Sequence, residues 1–82
     1  MKIVYDEAKR QTNLRKHRLD FADLDVAFFD DAFYETARNG RLKIVGWLKG
    51  DLVILVIAKP LGTEAMSVIS MRRPKSSERK GL

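Results

Sequence analysis

"NGRLKIVGWLKGDLVILVIA", residues 39 to 58, decides the architecture of this chain. Asn39-Gly40 is the dipeptide that most favours a hairpin, because a type I′ turn needs positive φ at both central residues. After it, "RLKIVGWL" reads as a strand, Lys49-Gly50-Asp51 as a second turn and "LVILVIA" as the next strand. That last run has no polar alternation. A strand apolar on both faces belongs in the middle of a sheet with both faces covered.

Working outward, "AFYETAR" supplies the strand before the Asn-Gly turn, and "KIVY" reads as a short opening strand. "KPLGTE" should break the long apolar run, and "AMSVISM" should form a further strand. Two helices lie between the opening strand and the hairpins. Asp6 is a good N-cap for a helix reaching about His17, with Glu7 favourably placed in its first turn. Ala8 and Leu14 are its only apolar members, so this helix should lie across the surface with little buried. Asp20 should cap a second helix over about 21 to 30, whose Phe21, Leu24 and Phe28 recur at helical spacing as a core face. The tight "HRLD" corner would make the pair a helical hairpin. The basic tail, residues 72 to 82, should leave the sheet at Pro74 and either form a short helix or stay mobile. The expected fold is α+β, a single domain over 1–82: a helical hairpin packed on a four- to five-stranded, mostly antiparallel sheet.

Eighty-two residues make one small domain with a thin margin of stability, which a partner covering apolar surface would widen. Hydrophobic residues at 45% and charged residues at 33% fit a folded chain. There is no cysteine, which excludes disulfides, thiolate zinc sites and a cysteine nucleophile. The single histidine excludes a histidine-rich metal site, and the carboxylates have no ligand-like spacing, so neither metal nor cofactor is expected. Residues 1 to 18 have no signal-peptide core, and "LVILVIA" is far too short to cross a bilayer. A cytoplasmic chain without membrane contact is the expectation.

The formal net charge of +5 points to a polyanion or an acidic partner. Residues 1 to 18 carry six Lys or Arg against two acids, residues 20 to 35 carry six acids and no base, and residues 72 to 80 carry five bases against one acid. If the two ends meet, they form one basic surface. On the first helix, Lys9, Asn13, Lys16 and His17 fall within a stripe about 100° wide. Two ammonium groups, an amide and an imidazole there suit phosphate binding with proton transfer. A helix whose terminal histidine only complements the dipole explains the same spacing, and spacing alone favours that plainer reading. In the tail, Arg72, Arg73, Lys75, Glu78, Arg79 and Lys80 gather. Adjacent arginines at a strand end point to opposite faces, so at most one of Arg72 and Arg73 should join a given site. Glu78 could act as a base or merely pair with a neighbouring cation. Arg41 could reach the same surface. Tyr5, Tyr34 and Trp47 could stack on bases, but Trp47 sits among Ile44, Val45 and Leu48, where core packing is the better explanation.

Taken together, "KIVYDEAKRQTNLRKHRLDFADLDVAFFDD", "GRLKIVGWL" and "VISMRRPKSSERK" resemble, in order and spacing, the BrnT family of toxins from bacterial type II toxin–antitoxin pairs. Arg18 departs from the family's usual glycine, Arg73 from a small residue, and the chain ends at Gly81-Leu82 without the usual tyrosine. The resemblance implies a compact RelE-like fold and a ribonuclease that arrests growth. It also implies neutralisation by a BrnA-like ribbon-helix-helix antitoxin, as a 2:2 heterotetramer that reaches operator DNA only through the antitoxin and represses its own operon. Carried onto matching positions, it marks Lys9, Asn13, Lys16, His17, Arg41, Arg72, Glu78 and Arg79.

Metal-free cleavage would then use the substrate's own 2′-hydroxyl, with His17 or Glu78 as base, Arg72 and Lys16 as charge clamp, and His17 or Lys9 as acid. Asn13, Arg41, Arg73 and Arg79 would bind RNA phosphates. The rival is a non-catalytic basic module that holds RNA or a protein. Either the acidic stretch from Asp20 to Glu35 or an exposed sheet edge could dock the antitoxin.

Overall fold

A computed structural model of the chain describes residues 1–79. Lys80 to Leu82, the end of the expected tail, lie outside the described residues. Five strands form one mixed sheet in the order β1-β5-β4-β3-β2. They are β1 (Lys2–Val4), β2 (Phe33–Thr36), β3 (Leu42–Leu48), β4 (Leu52–Leu61) and β5 (Ala65–Arg72). Only the β1–β5 pair is parallel; the others are antiparallel. The α+β class and the strand count match the sequence expectation, and the doubly apolar β4 occupies the centre. No helix among the described residues is long and apolar enough to cross a membrane.

The Asn39-Gly40 turn forms as its chemistry requires. Both residues have positive φ, 60° and 71°, and the Arg41 N–H closes the turn on the Arg38 carbonyl at 3.2 Å. The ladder resumes at Thr36 opposite Leu42, so the loop is longer than two residues. The second turn likewise places Lys49 and Gly50 at positive φ, 53° and 79°. "KPLGTE" does not break the strand. β4 continues through Lys59 and Pro60 to Leu61, paired with β5 across a bulge between Ile57 and Ala58. β3 ends opposite Ala58, so Pro60 has a neighbouring strand on one side only, where a residue without an N–H is tolerated.

The helices cover one face. Helix α1 (Glu7–His17) starts at Asp6, whose carboxylate accepts from the Lys9 N–H at 3.0 Å. It buries one residue, Asn13, in keeping with its polar sequence. It stops at Arg18, which adopts a left-handed conformation with φ 58°. A side chain there costs about 1–2 kcal/mol that glycine would not. The expected helix over 21 to 30 is instead two pieces, a 3₁₀ turn at Phe21–Asp23 and helix α2 (Val26–Asp30). The break has a local cause. Asp25 is extended and caps α2 by accepting from the Phe28 N–H at 3.0 Å, while Asp20 caps the 3₁₀ turn through Ala22. A capping aspartate in mid-segment ends one element and begins another, so the corner is not a simple helical hairpin.

Phe21, Leu24, Phe28 and Phe29 from these pieces pack on Ile44, Leu48, Ile54, Val56, Val68 and Met71 of the sheet. Gly46 permits the closest approach. A Cβ there would lie 3.0 Å from the Phe28 ring and from the Ala32 methyl. The opposite face holds a far smaller cluster, Val45, Val53 and Leu55, with Ile57 beside it. A 3₁₀ turn at Ser76–Glu78 in the C-terminal tail is tied to this face by an ion pair from Glu78 to Lys43 of β3.

Candidate functional site

Asn13 fixes α1 against the end of β5. Its side-chain amide donates to the carbonyls of Met71 (2.9 Å) and Leu19 (3.1 Å), and its oxygen accepts from the Met71 N–H (3.0 Å). β1 pairs with β5 only as far as Ser67, so the Asn13 amide satisfies backbone groups beyond the reach of that ladder. Both amide hydrogens are committed, which leaves Asn13 no free donor for a phosphate. Arg10 secures the other side of the helix with a two-pronged bond to Asp20 (2.7 and 2.9 Å) and a third bond to Glu7 (2.8 Å). That pairing holds the Asp20 carboxyl below its ordinary range, chiefly through Arg10 and then through the Ala22 N–H.

With α1 seated this way, its last turn meets the end of the last strand. Lys16 and His17 line a hollow of about 500 Å³ together with Arg72, Arg73 and Lys75. The same two residues form the rim of an adjoining hollow of about 310 Å³ with Lys9, Thr12, Asn13 and Ser70. His17, half-buried, therefore stands between a pair of lysines on its own helix and a pair of arginines from the other end of the chain. The two basic segments do converge. Arg72 and Arg73 both join this wall, contrary to the expectation that only one would. The strand ends at Arg72, so the two-residue alternation no longer governs Arg73.

Glu78 is held on all sides. Its carboxylate accepts two parallel bonds from Arg72 (2.9 and 3.0 Å), a bond from the Lys75 N–H (2.8 Å) and an ion pair from Lys43 (2.8 Å). Arg72 first, then Lys43 and the Lys75 N–H, push its pKa far below the usual carboxylate range, and Glu78 in turn raises that of Arg72. A carboxylate so strongly stabilised in its charged form is a poor proton acceptor at neutral pH. It faces a different hollow, of about 530 Å³, beside Phe33, Tyr34 and Lys43. Lys43 was not singled out in the sequence. The signal was its alternation with Val45 and Trp47, which puts all three on the tail-covered face.

Arg41 lies in the β2–β3 turn and lines neither His17 hollow, and Arg79 lines a fourth hollow with Trp47 and Arg73. The aromatic trio separates. Tyr5 packs edge-on against Phe21, with ring centroids 5.6 Å apart. Tyr34 is exposed and donates its hydroxyl to the Phe29 carbonyl at 2.7 Å. Trp47 is not core; it is 45% exposed. The burial expected from its neighbours fails because Ile44 and Leu48 face the helices while Trp47 faces the tail, where cover is thin.

Residues 5–78 match the model of a family described as the ribonuclease toxin BrnT of type II toxin–antitoxin systems. The fold is similar to the crystal structure of the Brucella abortus ribonuclease toxin BrnT. The two chains are 52% identical with a TM-score of 0.86, and the match covers 92% of this chain and 97% of that one. No curated protein sequence matches.

Proposed function

This chain belongs to the BrnT family, the ribonuclease toxins of type II toxin–antitoxin systems, and from that premise we propose that it cuts RNA in the hollow between α1 and the end of β5. In the proposed reaction the 2′-hydroxyl oxygen of one nucleotide attacks the adjoining phosphorus and gives up its proton to a base. The bond from phosphorus to the 5′ oxygen breaks, and that oxygen takes a proton from an acid. The products carry a 2′,3′-cyclic phosphate and a 5′-hydroxyl. What supports this reading is one observation: the only imidazole lines the same hollow as Lys16, Arg72, Arg73 and Lys75.

His17 is the proton carrier, and Lys9 in the adjoining hollow is the candidate second acid. Lys16, Arg72 and Arg73 would stabilise charge on the equatorial oxygens as it develops. Glu78 acts as a positioning residue: it fixes the Arg72 guanidinium by two bonds, and we assign it no proton-transfer step. Asn13 is likewise a positioning residue, setting the helix that carries His17. Arg41 and Arg79 would bind RNA beyond the cleaved phosphate.

A type II toxin implies an antitoxin partner. We propose a BrnA-like ribbon-helix-helix protein, a 2:2 assembly and operon repression through the antitoxin's DNA-binding domain, on the family resemblance, with the cytoplasm as the site of action. The test of the mechanism is to incubate the purified chain with single-stranded RNA in EDTA. Cleavage should persist and leave cyclic phosphate ends. Loss of cleavage in EDTA with recovery in magnesium, or 3′-hydroxyl products, would overturn the scheme.

A further inference from the structure

Trp47 is an exposed indole on the face where the arginines converge, and the cleavage mechanism does not use it. It lines a hollow of about 310 Å³ with Asp51, Leu52, Val53, Arg73, Pro74 and Arg79. Arg73 also lines the His17 hollow, and Lys16 and His17 belong both to that one and to the Lys9 hollow. The three hollows therefore form a chain linked by shared residues: Lys9 at one end, His17 and Arg72 in the middle, Trp47 at the other.

The strand register gives this chain a length scale. Leu55 of β4 pairs with Arg72, and Val53 pairs with Trp47. The two pairs sit two residues apart on β4, about 7 Å along the strand, and β3 and β5 lie on opposite sides of β4, ~10 Å apart across the sheet. The backbones of Trp47 and Arg72 are thus ~12 Å apart on the diagonal, a span that an extended single strand covers in about two nucleotides. The β4–β5 ladder stops at Arg72, and Pro74, which has no N–H to extend it, lines the same hollow as Val53. The indole is left open, and Arg73 and Arg79 line the same hollow.

We propose, resting on the ribonuclease reading above, that Trp47 is the stacking platform for the base of a nucleotide one or two positions from the cleaved phosphate, with Arg73 and Arg79 holding its backbone. Three features fit single-stranded RNA. An exposed aromatic in a hollow that arginines also line is the pairing that grips unpaired bases without reading sequence. The hollow adjoins the basic His17 hollow through Arg73. The diagonal from β5 over β4 to β3 suits a strand that enters the His17 hollow and runs on across the sheet.

The chain has a single tryptophan, so its fluorescence reports on this position alone. The full-length protein is titrated with a 2′-O-methyl RNA oligonucleotide, which lacks the attacking hydroxyl and stays intact. Binding is followed in parallel by anisotropy of a labelled copy. Stacking predicts saturable quenching with the same midpoint as the anisotropy curve. Trp47→Ala should weaken binding about tenfold, and Trp47→Phe should recover most of that. An oligonucleotide with one abasic position should weaken wild-type binding by a similar factor when the gap falls at the stacked base, with no further effect in Trp47→Ala. RNA binding without quenching, or with Trp47→Ala unchanged, overturns the inference and leaves the ribonuclease reading standing. No binding in either channel overturns both. Quenching by the cognate antitoxin and none by RNA assigns the indole to the protein interface instead, and likewise overturns it.

Discussion

The two faces of the sheet are built to different standards. The helix-covered face carries thirteen buried residues in one continuous cluster, among them Phe21, Phe28, Ile44, Ile54 and Met71. The tail-covered face buries three and relies on an ion-pair network around Glu78 to hold the tail against β3 and β5. The residues proposed to meet RNA, apart from those on α1 and Arg41 in the β2–β3 turn, lie along the tail or beside it. Stability resides mainly on one face, and the other is left polar enough to bind a phosphate backbone.

This contrast can be broken by mutation. Phe28→Ala on the thick face should cost about 3–5 kcal/mol in chemical denaturation. Val53→Ala on the thin face should cost only about 1–2 kcal/mol. Equal losses would mean that the tail packs as firmly as the helices. Next in size is Asn13→Ala, which strands the Met71 N–H and the Met71 and Leu19 carbonyls in a buried site. Unmade bonds of this kind cost about 1–3 kcal/mol each, so a total loss of at least about 3 kcal/mol is expected. A loss under about 0.5 kcal/mol would show that α1 does not depend on this clamp.

Glu78→Gln sharpens the comparison through pH. The Glu78 carboxyl is depressed in the folded protein, so its stabilisation is fully present above the ordinary carboxylate pKa of about 4.3 and is lost as pH falls towards the folded value. Wild type should therefore lose more Tm between pH 6 and pH 3 than Glu78→Gln does. The variant should keep part of the acid limb, because Asp20 shifts in the same direction. Identical acid limbs would remove the Glu78 network from the account.

Much of the sheet was legible from the sequence because its signals are local. Asn39-Gly40 needs positive φ wherever it stands, and "LVILVIA" is apolar on both faces whatever its neighbours. What escaped depends on contacts across the chain. Asn13 falls in the cationic stripe by spacing, yet its bonds run to Met71, 58 residues away. The core position expected for Trp47 fails because the thinness of its face reflects how the tail folds back, which no strand pattern encodes. Asp25 was the exception, a local capping signal that breaks the single helix expected from the periodicity of Phe21, Leu24 and Phe28. His17 and Lys16 were marked by spacing and resemblance, but that Arg72 and Arg73 would both join them came only from where β5 ends.

All of this converges on the imidazole at the seam between the first helix and the last strand. Single-turnover cleavage of RNA by wild type and His17→Ala, with thermal melts of both, tests it most directly. The account predicts a loss of about 10²–10⁴-fold in rate with Tm nearly unchanged. A variant that melts like wild type and cuts as fast would contradict it.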